Sequence, residues 1–250
     1  MNRFDLSGKT AIVTGASTGL GKGMSLGLAE AGADLVLVDY VGSNETAEEI
    51  KAMGRKAITI VADLMTISPI QSIVNETIST FGKVDVLVNN AGIIRRTPAI
   101  DFSEKDWDDV MAINSKTVFF FCQAVARDMM ERKYGKIINV ASLLAFQGGI
   151  FVPSYSASKG AVAQVTKALA NEWAQHGIMI NAIAPGYMAT NNTKALREDP
   201  VRSKTILDRI PAGRWGIPDD LKGPVMFLAS QASDYMNGHV LVVDGGWMAR

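Results

Sequence analysis

Seven short runs of apolar, largely β-branched residues recur along the chain, at 10–13, 35–38, 57–61, 84–88, 136–140, 178–183 and 240–243. In most of them the apolar residues are consecutive rather than alternating, the pattern of strands covered on both faces. Between them lie segments with helical spacing, at 20–31, 43–53, 69–81, 107–133, 154–176 and 218–228. Strand and helix thus alternate from end to end, which requires right-handed crossovers between parallel strands. The expected fold is α/β: one doubly wound domain over residues 1–250, a seven-stranded parallel sheet with helices on both faces. One segment breaks the rhythm. Residues 186–217 follow the sixth strand and include the polar stretch Thr190-Asn-Asn-Thr-Lys. An insertion at the carboxyl end of a strand is placed to cover a substrate; an ordinary surface helical hairpin is the plainer reading.

Composition narrows the chemistry. The 250 residues carry 25 acidic and 25 basic side chains, so no net field gathers nucleic acid or an anionic membrane. The N-terminus is polar and no stretch approaches about 18 uninterrupted apolar residues, so a cytoplasmic protein is expected. Cys122 is the only cysteine, which excludes an intrachain disulfide and a thiolate cluster. The two histidines, His176 and His239, supply a metal site or a histidine-based triad poorly, and His176 precedes Gly177 where a helix is expected to end. No metal is expected. The chemistry must come from other side chains or from a borrowed cofactor.

Two features suggest such a cofactor. The first strand runs into Thr14-Gly-Ala-Ser-Thr-Gly-Leu-Gly21 and then into a helix. Gly15, Gly19 and Gly21 permit a tight turn and close backbone approach, while Ser17, Thr18 and Leu20 lie where amides at the helix N-terminus face a pyrophosphate. Asp39 ends the second strand, where a carboxylate accepts hydrogen bonds from an adenosine ribose and repels a 2′-phosphate. Neither Thr18 nor Tyr40 offers a compensating cation, so NAD is expected over NADP. Farther along, Tyr155 and Lys159 stand four residues apart and share a helix face. An ammonium about 4 Å from a phenol, at an effective dielectric of about 20, could bring its pKa from about 10 to about 7. A solvated helix face is the blander reading of the same pair.

Taken together, Thr14-Gly-x-x-x-Gly-x-Gly21, Asn89-Asn-Ala-Gly92, Asn114, Ser142, Tyr155-x-x-x-Lys159 and Pro185-Gly186 resemble the short-chain dehydrogenase/reductase family over the whole chain. The resemblance implies a Rossmann-like domain. Tyr155 would then transfer the proton, Ser142 would hold the substrate oxygen, and Lys159 would bind the nicotinamide ribose while lowering the Tyr155 pKa. Asn114 would anchor a water that carries the proton onward. Asp63 and Leu64 would meet the adenine, Asn90, Ala91 and Gly92 would line the cleft, and Pro185, Gly186, Met188 and Thr190 would meet the carboxamide. The resemblance also implies a homotetramer. Finer runs, among them Ile93-Ile-Arg-Arg96 and 181–193, resemble the sugar-acid dehydrogenases of that family and imply a sugar-acid substrate. Arg95 or Arg96 suits its carboxylate, and Gln147, Tyr187, Asn191 and Asn192 suit its hydroxyls. Leu143, Leu144, Phe146 and Phe151 are expected to pack a cover or an interface rather than touch substrate.

Overall fold

A computed structural model describes residues 2–249. The strands are β1 (Thr10–Thr14), β2 (Asp34–Asp39), β3 (Ala57–Val61), β4 (Val86–Asn89), β5 (Gly135–Val140), β6 (Ile178–Pro185) and β7 (Val240–Val243). They form one parallel sheet in the order β3-β2-β1-β4-β5-β6-β7. The order reverses between β1 and β4, which leaves a crevice at their carboxyl ends.

Neighbouring residues on a strand face opposite ways, so consecutive apolar residues feed two cores. Ile12 joins a cluster built from α3 (Ile70–Phe81), α5 (Thr117–Arg132) and α6 (Pro153–Trp173), with Phe121, Met129 and Val162 at its centre. Ala11 and Val13 join the opposite cluster, built from α1 (Gly19–Glu30), α2 (Asn44–Ala52) and α9 (Lys222–Ala229), with Met24, Leu28 and Val225. This is the three-layer arrangement expected from the sequence pattern. No helix among the described residues is long and apolar enough to cross a membrane.

The helix expected over 107–133 differs in an informative way. It starts earlier, as α4 (Glu104–Met111), because the Ser103 hydroxyl caps it by accepting from the Asp106 amide. A π-helical turn over Ala112–Lys116 then separates it from α5. Such a turn adds a residue to the helix and re-aims the side chains within it, and here it carries Asn114.

The 186–217 segment holds α7 (Lys194–Glu198) and α8 (Pro200–Leu207). Its base is closed by an isolated parallel bridge between Met188 and Gly216. Ile206 and Ile210 anchor it by packing with Leu143 and Trp247.

Candidate active site

The crevice at the strand reversal opens into a cavity of about 570 Å³. One wall is the turn from β1 to α1. Gly15 and Gly19 adopt φ of +66° and +56°, which side-chain-bearing residues rarely do. A Cβ on Gly21 would stand 1.9 Å from the Gly15 carbonyl oxygen, so the turn can close only around glycine. Asn90 locks it from the next strand, donating Nδ2 to the Thr14 and Gly15 carbonyls at 2.9 and 3.0 Å, while the Thr14 hydroxyl accepts the Asn90 and Ala91 amides, both at 3.0 Å. Thr18 precedes α1 without a side-chain cap, so the helix leaves its first amides open to a ligand.

Gly15, Ser17, Thr18, Gly19, Leu20 and Asp39 line this cavity at one end, with Asp63 and Leu64 beside them. Asn90, Ala91, Gly92, Lys159, Thr190 and Asn191 also line it. Asp39 Oδ2 accepts the Ser17 amide at 2.9 Å, which places the carboxylate against the glycine turn. Lys159 is the only lysine or arginine among the lining residues. Open helix amides, a glycine turn without Cβ atoms and a carboxylate at the end of β2 fit a dinucleotide.

Tyr155 is the wall between this cavity and a second one of about 360 Å³. Pro153 occupies the first turn of α6, where its missing N–H costs nothing, and Tyr155 follows it. Ser142 lies two residues beyond β5 and caps the next turn by accepting the Leu144 amide at 3.2 Å. Burial pushes the Tyr155 phenol above its ordinary value, opposed by a hydrogen bond with Ser142 and by the charge of Arg96.

Lys159 shares a face of α6 with Tyr155, as the spacing predicts, and its ammonium also finds a backbone partner. Its Nζ donates to the Val140 carbonyl at 2.6 Å and stands 5.5 Å from the centroid of the Tyr155 ring. The long stem spans from α6 to the end of β5, where that carbonyl receives one of the ammonium's hydrogens. Burial pushes the ammonium down to about 8. Asn114 lies behind the cavity. Its Oδ1 accepts the Ile93 amide at 2.9 Å, and Nδ2 donates to the Ile93 carbonyl at 2.9 Å and to the Ser158 hydroxyl at 3.2 Å. Ser158 in turn donates to the Tyr155 carbonyl at 2.8 Å. Both amide hydrogens of Asn114 are therefore engaged, and the side chain braces the loop after β4 against the first turn of α6.

The second cavity holds Ser142, Gln147, Pro185, Gly186 and Tyr187 alongside Tyr155. Gln147 accepts the Trp247 indole N–H at 3.2 Å, and Tyr187 packs against Trp215 and Trp247. Arg95 is not brought here: it turns toward α4, 3.3 Å from Asp106 and 4.0 Å from Asp109. Arg96, the adjacent residue, lines the cavity instead. Asn191 faces the first cavity, whereas Asn192 borders both. Met188 lies behind both walls, in contact with the Gly216 backbone. Leu143, Leu144 and Phe151 line the second cavity, and Leu143 packs against the 186–217 segment at Ile206 and Ile210, as expected of residues that pack a cover; Phe146 is half exposed outside it. Arg202, on α8, is a lining residue that the sequence pattern did not single out. Its only signal was Ile206 one helical turn later, in a segment whose helices were expected without assigned bounds.

Among the described residues, no group of three histidine, cysteine, aspartate or glutamate side chains is placed to hold a metal ion.

Comparison with known proteins agrees with this geometry. Residues 9–201 match the family described as short chain dehydrogenase. The chain is 61% identical to the 2-dehydro-3-deoxy-D-gluconate 5-dehydrogenase of Dickeya dadantii over 251 residues, covering 100% of this chain and 99% of that protein. It is 58% identical to the Escherichia coli protein of the same name, again over 100% and 99% of the two chains. A crystal structure assigned as a 2-deoxy-D-gluconate 3-dehydrogenase from Agrobacterium tumefaciens, with NADP bound, superposes with a TM-score of 0.94 at 50% identity and covers 100% of both chains. The seven-stranded parallel sheet is thus that of an oxidoreductase acting on CH–OH groups, and the chain belongs to the short-chain dehydrogenase family.

Proposed function

We propose that the chain interconverts 2-dehydro-3-deoxy-D-gluconate and its 2,5-diketo form, with NAD as the hydride carrier. The observation that carries the reaction type is Tyr155, which stands as the shared wall of a dinucleotide-sized cavity and a smaller one beside Ser142. The relatives at 61% and 58% identity support the substrate. A nicotinamide dinucleotide held by the glycine turn, Asp39 and Lys159 would supply the hydride acceptor.

The chain's own groups would then act as follows. Ser142 donates a hydrogen bond to the substrate oxygen and fixes it near Tyr155. The Tyr155 oxygen takes the hydroxyl proton as the C–H bond breaks, and returns it in the reverse direction. Lys159 reaches the ribose hydroxyls from its seat on the Val140 carbonyl. Asn114, through Ser158, holds the turn that carries Tyr155. The 186–217 segment covers the second cavity. Asp39 supports the NAD reading, because a 2′-phosphate at the end of β2 would meet a carboxylate, and the one lining lysine or arginine, Lys159, is engaged at the end of β5. The same reading includes a homotetramer in the cytoplasm, for which the half-buried Phe119 and Phe120 on α5 offer apolar surface; light scattering that finds a stable monomer would overturn that part.

One assay tests the whole. Turnover is followed with NAD and with NADP across 2-dehydro-3-deoxy-D-gluconate, gluconate and 2-deoxy-D-gluconate. The first substrate with NAD should give the highest kcat/KM. A preference for gluconate would move the chain to a gluconate 5-dehydrogenase activity, and equal or better use of NADP would remove the role given to Asp39.

A further inference from the structure

The cavity beside Ser142 and Tyr155 is largely apolar, with Ile94, Leu144 and Phe151 in its wall, yet it receives two cations, Arg96 and Arg202. Their situations differ. Arg96 donates Nη2 to the Asn192 carbonyl at 2.8 Å and so ties the loop after β4 to the 186–217 segment. Arg202 is held only through its backbone, whose amide donates to Asp199 Oδ1 at 3.0 Å, and its guanidinium has no ion-pair or hydrogen-bond partner among the described residues. A guanidinium facing an apolar wall loses hydration on that side, a loss that a carboxylate offsets with two parallel charge-assisted bonds.

Packing sets the direction of Arg202. Ile206, one helical turn later on the same face, is 1% exposed and packs with Leu143 and Trp247, next to Ser142. Val201, on the adjoining face, is 76% exposed. The helix is thus rotated so that residue 202 looks into the cavity and residue 201 into solvent.

We propose that Arg202 is the residue that recognises the substrate carboxylate, and that Arg96 is the latch that keeps α7 and α8 over the cavity. This deepens, and rests on, the sugar-acid reading above. It gives the insertion a specific task. The fold supplies proton and hydride transfer at Tyr155, while α8 supplies the charge that selects an acid over a neutral sugar.

The test compares wild type, Arg202→Gln, Arg202→Lys and Arg96→Gln on 2-dehydro-3-deoxy-D-gluconate and on its primary amide, which has nearly the same shape and no charge. NADH binding is measured on each variant. Arg202→Gln should raise KM for the acid by about 10- to 100-fold, the cost of one charge-assisted pair, with kcat and the reaction of the amide little changed. Arg202→Lys should recover part of the loss on the acid. Arg96→Gln should impair acid and amide alike, because it loosens the cover. Equal losses on acid and amide in Arg202→Gln, or none on either, would overturn the assignment. Should that variant fail to bind NADH, Arg202→Lys decides by the same criterion. A wild-type enzyme inactive on the acid defeats the sugar-acid reading itself, whereas normal wild-type turnover with undiscriminating variants defeats only the role of Arg202.

Discussion

The turn between β1 and α1 and the insertion between β6 and α9 face each other across one crevice, and they are built on opposite principles. The turn is a backbone structure: its contacts are carbonyls and amides held by Asn90 and Thr14, and its shape depends on Cβ atoms that are missing. The insertion is a side-chain structure, anchored by Ile206 and Ile210 and latched by Arg96. A backbone structure tolerates almost no substitution, since every added atom meets a fixed neighbour. A side-chain structure can be re-lined without disturbing the sheet. The first kind suits a ligand shared by many reactions, the second a substrate that differs among them.

The sharpest test of that division acts on the residue the two regions share. Tyr155→Phe removes the proton carrier and leaves the ring that separates the cavities. Turnover should fall by about 10²- to 10⁴-fold, the usual contribution of a positioned acid/base, while NADH fluorescence titration gives nearly the wild-type affinity. Retained turnover would place the proton transfer elsewhere.

A smaller effect compares the two building principles directly. Gly21→Ala puts a methyl group 1.9 Å from the Gly15 oxygen and 2.5 Å from Asn90 Nδ2. Relieving it must shift the backbone that faces the dinucleotide, at about 1–3 kcal/mol for an overpacked site, or about 5- to 150-fold in NADH affinity. Gly148→Ala, near the insertion's cavity, meets nothing within 4 Å and should change affinity and kcat by less than about twofold. Similar behaviour of the two variants would break the contrast.

The same contrast explains what was legible in the sequence. Consecutive β-branched residues disclosed the sheet because burial on two faces leaves few alternatives, and the glycine turn disclosed the cradle because its geometry demands particular residues. The substrate side was less legible. Arg95 and Arg96 are neighbours on an extended loop, so they point apart, and only packing against α4 shows which one leaves the cavity. Arg202 lies in a helix too short and too polar for its periodicity to stand out. The π-helical turn at Asn114 was invisible for a related reason: inserting one residue into a helix leaves the apolar spacing on either side intact. Spacing places Tyr155 and Lys159 on one helix face, as in the structure, but does not reveal the acceptor that the ammonium finds on β5, the Val140 carbonyl.

The buried ammonium on that carbonyl leads to a prediction about stability. The Lys159 ammonium is buried, and its pKa falls from 10.5 in its ordinary setting to about 8. Between those two values the unfolded chain holds more protons than the folded one, so folding stability rises with pH across that window. Below about 8 both states are protonated and the whole penalty for charging a buried lysine is present, about 3 kcal/mol from the difference in pKa. Lys159→Met removes that penalty and also removes the donor to Val140, which costs about 1 kcal/mol. At pH 7, in the absence of nucleotide, the variant should therefore be about 2 kcal/mol more stable than wild type, a Tm higher by about 4–8 °C. The advantage should shrink as pH rises from about 8 toward 10.5, since the wild type sheds its buried charge there. A gain that is absent at pH 7, or that does not change with pH, would mean that the ammonium is well solvated where it sits. The residue proposed to hold the ribose would then carry no cost to stability, and the cradle would be no more strained than the insertion opposite.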